Sequence, residues 1–417
     1  MEQIKIKNFG GIEDLTIELN KVNLFIGRQA SGKSITAKLI YFFKGITHEF
    51  FDSALAERNK LQLEKKLLQK FEEYFPTDTW PSKNFEIVYA LNGNNISIRK
   101  EKSKLKIEFS DVYVKLFNYS KKIIKSDKDK FKPEDQFEIY RPNYKINEKY
   151  LTLVEKELGD SSSFNPLFIP AGRSFFANLQ SSIFSFLSNN KAMDPFLVEF
   201  GSFYENIKPL ASRMPMGRDD KHLNLIADKL IFEILGSKYL REKNKDYLIH
   251  ADKRKINVSF TSSGQQETLP LILILKALLR INFIGNGSSL FIEEPEAHLF
   301  PAAQKKVIEL MGLTFNNSKN SSQLIVTTHS PYVLTSINNL IQASIVSNSV
   351  SDEKKLAVYK IVPKELMISE KYLNAYAFKD GTAVNIVDME TGLIYSKYLD
   401  SVSEEISIEF DEILNIE

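Results

Sequence analysis

Phe25-Ile26-Gly27-Arg28-Gln29-Ala30-Ser31-Gly32-Lys33-Ser34 decides how the chain is read. Glycine, four residues and Gly-Lys-Ser follow an apolar run, Val22 to Ile26, interrupted only by Asn23. That run predicts a strand. Ile35, Leu39, Ile40 and Phe43 come next at helical spacing, so a helix should begin at the end of the motif. A strand, a glycine-rich turn and a helix in this order form a phosphate-cradling loop, or P-loop. Gly27 and Gly32 allow a tight turn and close approach of backbone to an anion. The loop N–H groups and the helix N-terminus then converge on that anion. Lys33 is expected to reach terminal phosphates, and the Ser34 hydroxyl to face a divalent cation.

The composition sets limits on what surrounds this loop. The chain has 417 residues, enough for one large domain or two ordinary ones. It is 43% hydrophobic and 26% charged, as a well-cored globular protein is. A net charge of +2 provides no global basic field for nucleic acid. The absence of cysteine excludes disulfides, thiol nucleophiles and cysteine-ligated zinc. Met1-Glu2-Gln3-Ile4-Lys5 lacks the apolar core of a signal peptide. The longest apolar run, Leu269 to Leu279, contains Lys276 and is too short to span a bilayer. The expectation is a cytoplasmic protein with no membrane partner.

Outward from the loop, Ile4-Lys5-Ile6 and Leu15-Thr16-Ile17-Glu18-Leu19 alternate as strands, turning at Phe9-Gly10-Gly11. Phe50 to Tyr74 reads as a charged amphipathic helix. Phe85 to Leu91 and Ile96 to Arg99 flank Asn92-Gly93-Asn94-Asn95, a hairpin signal, and Lys104 to Phe109 continues the alternation. Residues 99–132 hold twelve Lys/Arg against five Asp/Glu, with Phe117, Tyr119 and Phe131 among them. Basic and aromatic residues interleaved in this way can fit nucleic acid, but read first as a solvated face of a lysine-rich protein. Leu167-Phe168-Ile169 predicts a short strand ending in a turn that carries Arg173. That arginine reads either as a phosphate-facing cation or as a surface salt bridge. Residues 175–245 read as mostly helical, closed by Gly236 after Leu235, and Tyr247 to Phe260 as a strand pair.

Three further motifs follow. Ser262-Ser263-Gly264-Gln265-Gln266 opens an apolar helix, as any capped helix with a glycine might be written. Ser289-Leu-Phe-Ile-Glu293-Glu294-Pro295-Glu296-Ala297-His298-Leu299-Phe300-Pro301 is an apolar strand ending in carboxylates. Leu324-Ile-Val-Thr-Thr-His329-Ser330-Pro331 is a strand ending in a polar triplet. Each has an ordinary structural reading when taken singly. Together, in this order and at strand ends or helix starts, they resemble the ABC-type ATPase heads of the SMC, RecF and OLD group. The resemblance is nearest to bacterial stand-alone AAA family ATPases of anti-phage systems. Glu-Glu-Pro-Glu-Ala-His-Leu-Phe-Pro is characteristic of the OLD-like branch, and Val387-Asp-Met-Glu-Thr-Gly-Leu-Ile is similar to tails of these ATPases.

The resemblance implies an α/β P-loop NTPase: an ABC-type head with a mixed sheet core, an antiparallel β subdomain and an inserted helical arm. It implies an ATP-binding, Mg²⁺-dependent ATPase. Gly27, Arg28, Gln29, Ala30, Ser31, Gly32, Lys33 and Ser34 would form Walker A. Ser263, Gly264 and Gln265 lie in the signature motif, which would complete the site of a second subunit. Ser34 and Glu293 would hold the metal. Glu294, His329 and Lys33 would act in catalysis, His329 as the switch histidine, with Glu296 to Phe300 as the D-loop. The sequence departs from the usual pattern at Ala30 (Gly), Glu293 (Asp) and Gln265 (Gly). Gln136 and Gln180 are both candidates for the Gln-loop.

The resulting division is 1–110, the first ATPase lobe with its β subdomain; 111–245, the inserted arm, including a return strand near 167–174; 246–350, the second lobe; and 351–417, C-terminal strands and an acidic helix. The expected function is a head that dimerises, or assembles further, around two ATP and gates a separate effector in phage defence or DNA maintenance. The alternatives are an energy-coupling subunit of a transporter and a nucleotide-dependent scaffold. Relatives of the OLD type carry a Toprim nuclease, which needs an Asp-x-Asp cluster; none follows His329. Asp400 to Glu417 has seven acidic residues and no basic one, and Val402, Ile406, Phe410, Ile413 and Leu414 form a stripe. It reads as a terminal helix docked on its own head, or as a handle for another protein.

Overall fold

A computed structural model describes the chain apart from residues 82–83, 103, 128–143, 179–192, 214–220, 244, 280–286, 318–320, 396–400 and 417. Gln136, Gln180, Lys128 and Phe131 lie outside the described residues.

The P-loop strand is β3 (Val22–Gly27). It sits inside a six-stranded mixed sheet with β7 (Asn165–Ile169), β11 (Gly287–Glu293), β12 (Ser321–Thr328), β13 (Leu373–Lys379) and β14 (Thr382–Asn385). The order is β14-β13-β3-β12-β11-β7, with β14 antiparallel and the other pairs parallel. The fold is α/β with a P-loop. Parallel strands are covered on both faces, which is why β11 and β12 read as continuous apolar runs. Phe25, Phe291 and Ile325 enter the core on one face, while Leu24, Leu290, Ile292, Leu324 and Val326 enter the core on the other. Asn23, the one polar residue in the β3 run, is fully buried and satisfied. Its amide donates to the carbonyls of Asn20 (2.7 Å) and Leu324 (3.2 Å), and its carbonyl accepts from Asn20 N (2.8 Å).

The first face is covered by α1 (Lys33–Leu55) and by an antiparallel sheet. That sheet orders β1 (Glu2–Phe9), β2 (Ile12–Leu19), β4 (Phe85–Leu91), β5 (Asn94–Glu101) and β6 (Lys104–Phe109) as β2-β1-β4-β5-β6. Leu91 pairs with Asn94, so Asn92-Gly93 forms the two-residue bend that the sequence predicts. The Glu2 carboxylate joins the layers. It pairs with buried Lys44 of α1 at 2.8 Å and accepts from Tyr89 and from Gln323 of β12. The helix expected over Phe50 to Tyr74 divides in two. Its first part is the end of α1. The rest is α2 (Lys60–Tyr74), started by a capping box in which Asn59 and Gln62 satisfy one another's backbone N–H groups.

The second face is covered by α6 (Lys221–Leu235), α7 (Ser263–Leu278), α8 (Pro301–Asn317) and α9 (Pro331–Ser349). Between the two halves of the sequence lie α3 (Asp111–Asp127), α4 (Tyr144–Leu158) and α5 (Pro195–Arg213). The strand pair expected at Tyr247 to Phe260 is a three-stranded sheet: β8 (Ser237–Glu242), β9 (Lys245–His250) and β10 (Lys255–Asn257). β8 lies in the stretch read as helical, because Gly236 ends α6 in a left-handed conformation (φ 62°) and the chain turns straight into a strand.

Of the two readings of the C-terminal helix, α10 (Ser401–Leu414), docking on its own head does not match its exposure. Ile406, Phe410, Ile413 and Leu414 are each at least half exposed. Asp388 of the preceding tail makes a turn, accepting from Glu390 N and from the Thr391 hydroxyl. No described helix is long and apolar enough to cross a membrane.

Candidate functional site

Ligands of open α/β sheets bind beyond the carboxyl ends of the strands. Four neighbouring strand ends meet there. β3 delivers the P-loop, β12 delivers His329, β11 delivers Glu293 and Glu294, and β7 delivers the turn that holds Arg173. Register fixes the alignment: Glu293 lies opposite Thr327, and Thr328 lies opposite Ile26.

Gly27 leaves no room for a side chain. A Cβ there would stand 2.3 Å from the Phe378 carbonyl oxygen, so the backbone of β13 closes the loop from behind. Arg28, Gln29 and Ala30 are exposed at the loop tip. Ala30 has φ 58°, the left-handed conformation that glycine adopts without strain. Ala30 is exposed, so no packed neighbour has to make way for its methyl group. Lys33 is buried, and its ammonium donates to the carbonyls of Gly27 and Arg28, both at 2.7 Å. Burial pulls its pKa below the ordinary lysine value, and the charges of Glu294 and Glu296 work against that shift.

Ser34 lies at the first turn of α1, its hydroxyl beside Glu293, where it helps to hold that carboxyl's pKa down. Glu293 is buried, with Ala171 N 3.4 Å from its Oε2. Burial pushes the Glu293 carboxyl above the usual carboxylate range, against the charge of Lys38 and the hydrogen bonds from Ser34 and Ala171. A hydroxyl and a carboxylate together form an oxygen donor set suited to a hard divalent cation. The residues present therefore fit Mg²⁺, and the glycine-walled loop with its lysine fits a polyphosphate.

Glu294 is half exposed, with Oε1 3.2 Å from His329 Nε2. Its backbone is left-handed, φ 43°, a costly state for a carboxylate residue and one that clusters at functional sites. Glu296 is buried. Its Oε1 accepts from the Thr328 hydroxyl (2.7 Å) and from His329 N (2.8 Å), so it sets the backbone that carries His329. Its other oxygen, Oε2, has no partner among the described residues. The sequence reading put Glu296 only in the D-loop; its repeated carboxylate after Pro295 was the available signal.

Ser263 and Gly264 open α7. Ser262 caps the helix, accepting from Gln265 N, and Gln265 answers by accepting from Ser262 N. The Gln265 amide also donates to the Leu235 carbonyl (2.7 Å). Its side chain is thus spent within the chain, while Ser263 is exposed. Gly264 packs on the D-loop, where an added Cβ would meet the His298 carbonyl oxygen at 2.6 Å.

Arg173 corrects both sequence readings, since it is neither a phosphate-facing cation nor a surface salt bridge. It is fully buried, 0% exposed. Its guanidinium donates to the carbonyls of Glu267 (3.0 Å), Pro170 (2.9 Å), Glu293 (2.7 Å) and Glu294 (3.0 Å) and pairs with the Glu267 carboxylate at 3.3 Å. Part of the basic stretch is committed. Arg99 pairs with Glu86 and Glu108, Lys106 pairs with Glu101, and Phe117 is in the core. Lys122 and Lys125 are exposed.

Residues 1–191 and 172–334 match the AAA_15 family of AAA ATPase domains. The chain belongs to the AAA ATPase domain family. No curated protein sequence matches this AAA ATPase domain chain. Solved SMC head domains overlap it weakly. One, from Pyrococcus furiosus and bound to the C-terminal domain of ScpA, is 13% identical at a TM-score of 0.40, covering 98% of this chain and 100% of that one. Another, from Thermotoga maritima, is 14% identical at 0.35, covering 92% and 97%. Overlap at that level carries no statement about activity.

Proposed function

We propose that this AAA ATPase domain protein binds ATP with Mg²⁺ on the P-loop, hydrolyses it, and pairs head to tail with a second copy around two ATP molecules. The observation that carries the reading is the meeting of the Ser34–Glu293 pair, the Glu294–His329 pair and the P-loop lysine at adjacent strand ends. Lys33 and the loop N–H groups hold the phosphates. Ser34 and Glu293 hold the metal, which supplies charge neutralisation on the phosphate oxygens. Glu294 orients the attacking water and accepts its proton at a carboxylate oxygen. His329 steadies Glu294 and faces the terminal phosphate.

A second copy is supported by what remains exposed. Ser263 is open at the start of α7, and Phe260, Phe300 and Tyr332, within three residues of the signature, the D-loop and His329, are 83%, 79% and 52% exposed. Apolar side chains of that size beside a site mark a docking edge. The exposed stripe of α10 supports a separate protein partner, which this reading takes as an effector gated by the nucleotide state, in phage defence or DNA maintenance. Among the described residues no cluster of three His, Cys, Asp or Glu is placed to hold a metal.

The test is Glu294→Gln. It should keep ATP affinity, lower turnover about 100-fold or more, as expected for loss of a general base, and accumulate an ATP-bound dimer by light scattering. Parental turnover in this variant would refute the assignment.

A further inference from the structure

The Arg173–Glu267 pair lies inside the molecule, touches no surface, and connects two parts of the site that are remote in sequence. Glu267 lies one helical turn beyond Ser263, on the same face of α7. Its Oε1 accepts from Arg173 N (2.9 Å) and its Oε2 from Ser174 N (2.8 Å), so the carboxylate binds the turn after β7 to the signature helix. Across that turn, the Arg173 guanidinium grips the two carbonyls at the end of β11, those of Glu293 and Glu294. Glu294 is the residue held in the left-handed conformation, and its backbone is further constrained by the Pro295 that follows it, by the bond from its N–H to Thr327 O (2.9 Å) and by Ala297 N, which donates to the same carbonyl that Arg173 grips (3.1 Å). A strained backbone persists where its surroundings over-determine it. Here Arg173 supplies that determination from one side, and the signature helix anchors Arg173 from the other.

We propose that Arg173 and Glu267 are positioning residues that couple the start of α7 to the carboxylates of Glu293 and Glu294. A second copy that presses on Ser263 would shift Glu267, and with it the direction in which Glu294 presents its carboxylate. The inference rests on the ATPase reading for its hydrolytic consequence, but the geometry it asserts can be measured without hydrolysis. Burial alone would make the pair structural, since breaking a buried ion pair destabilises. A positioning role adds that the carbonyls of β11 need a fork of donors that neither lysine nor a hydrocarbon provides.

The experiment uses the full chain with Arg173→Lys, Glu267→Gln and the double variant Arg173→Met/Glu267→Leu. Melting temperature, ATP affinity with and without Mg²⁺, and kcat and KM are measured on each. The double variant leaves no lone buried charge and should therefore melt above Glu267→Gln, although the carbonyls of β11 still lose their donors. Any of the three that folds should bind ATP without Mg²⁺ as the parent does, gain less affinity on adding Mg²⁺, and lose kcat about 100-fold with KM little changed, the effect of misplacing a reacting group by about 1 Å. A folded variant with parental kcat and parental Mg²⁺ enhancement overturns the coupling. If the parent itself does not hydrolyse ATP, the ATPase reading fails, and the Mg²⁺ enhancement alone decides the coupling. If all three variants fail to fold, the pair is structural and the proposal is overturned.

Discussion

At the scale of single residues, the proposal that Glu293 holds the metal carries a stability cost that can be measured. Its carboxyl is buried and its pKa lies above the ordinary value. The unfolded chain ionises this group at lower pH than the folded one. The folded state therefore loses stability as pH rises through the folded pKa, and the penalty is absent below the unfolded value. Glu293→Gln, which keeps an acceptor for Ser34, should raise the melting temperature of the nucleotide-free protein by about one to two degrees near pH 7.5. The gain should vanish on acidification, and the same variant should lose the Mg²⁺ enhancement of ATP binding. A lower melting temperature at neutral pH would contradict the sign. Ala30 makes the converse case. Left-handed backbone costs an L-residue about 1–2 kcal/mol, and a β-branched side chain makes φ 58° a far worse choice. Ala30→Val should weaken ATP binding about tenfold or more, while Ala30→Gly should hold or improve it. Equal affinities across the series would show that the loop changes conformation at Ala30 when nucleotide binds.

Elements explain what the sequence could and could not reveal. The P-loop, β11 and β12 were legible because each is a local pattern: an apolar run buried on two faces, then polar residues where the strand leaves the sheet. The Asn92-Gly93 hairpin and the Gly236 helix stop were legible for the same reason. Arg173 was not, because its partners are carbonyls on β11 and a carboxylate on α7, and backbone oxygens leave no trace in the alphabet. β8 was missed because a strand that follows a helix after one glycine has little room to show its period. The α7–D-loop contact was also invisible, since the need for glycine at 264 comes from a carbonyl 34 positions away. It yields a prediction at this scale. Gly264→Ala would place a methyl group 2.6 Å from the His298 oxygen, so the D-loop must move. ATP binding by the monomer should survive, and ATP-dependent pairing should fall at least several-fold in sedimentation measurements. Undiminished pairing would detach the D-loop from the interface.

The whole molecule is two cores on either side of one sheet, with every strand-end residue of the site on the same edge. If signature and P-loop act across two copies, inactive chains should complement one another. Glu294→Gln mixed in equal amounts with Ser263→Arg gives half of all pairs mixed, each with one intact site. About one quarter of parental turnover should return, following from unlike surfaces meeting in each site. A mixture no more active than its parts would exclude sites shared between copies.

Lys33 adds a consequence for how such experiments are controlled. Its ammonium holds the carbonyls of Gly27 and Arg28 inside its own loop. An arriving phosphate therefore does not fill a vacancy; it takes the lysine from two oxygens that must then find other partners. Association becomes an exchange, with its own barrier. Lys33→Ala removes more than a contact to the ligand: it also unties the loop from its own lysine. Such a chain is not a resting parent. Amide exchange at residues 27 to 32 should run faster in it than in the parent before any nucleotide is added, and a defect seen with it reports on a loosened loop as much as on a missing charge.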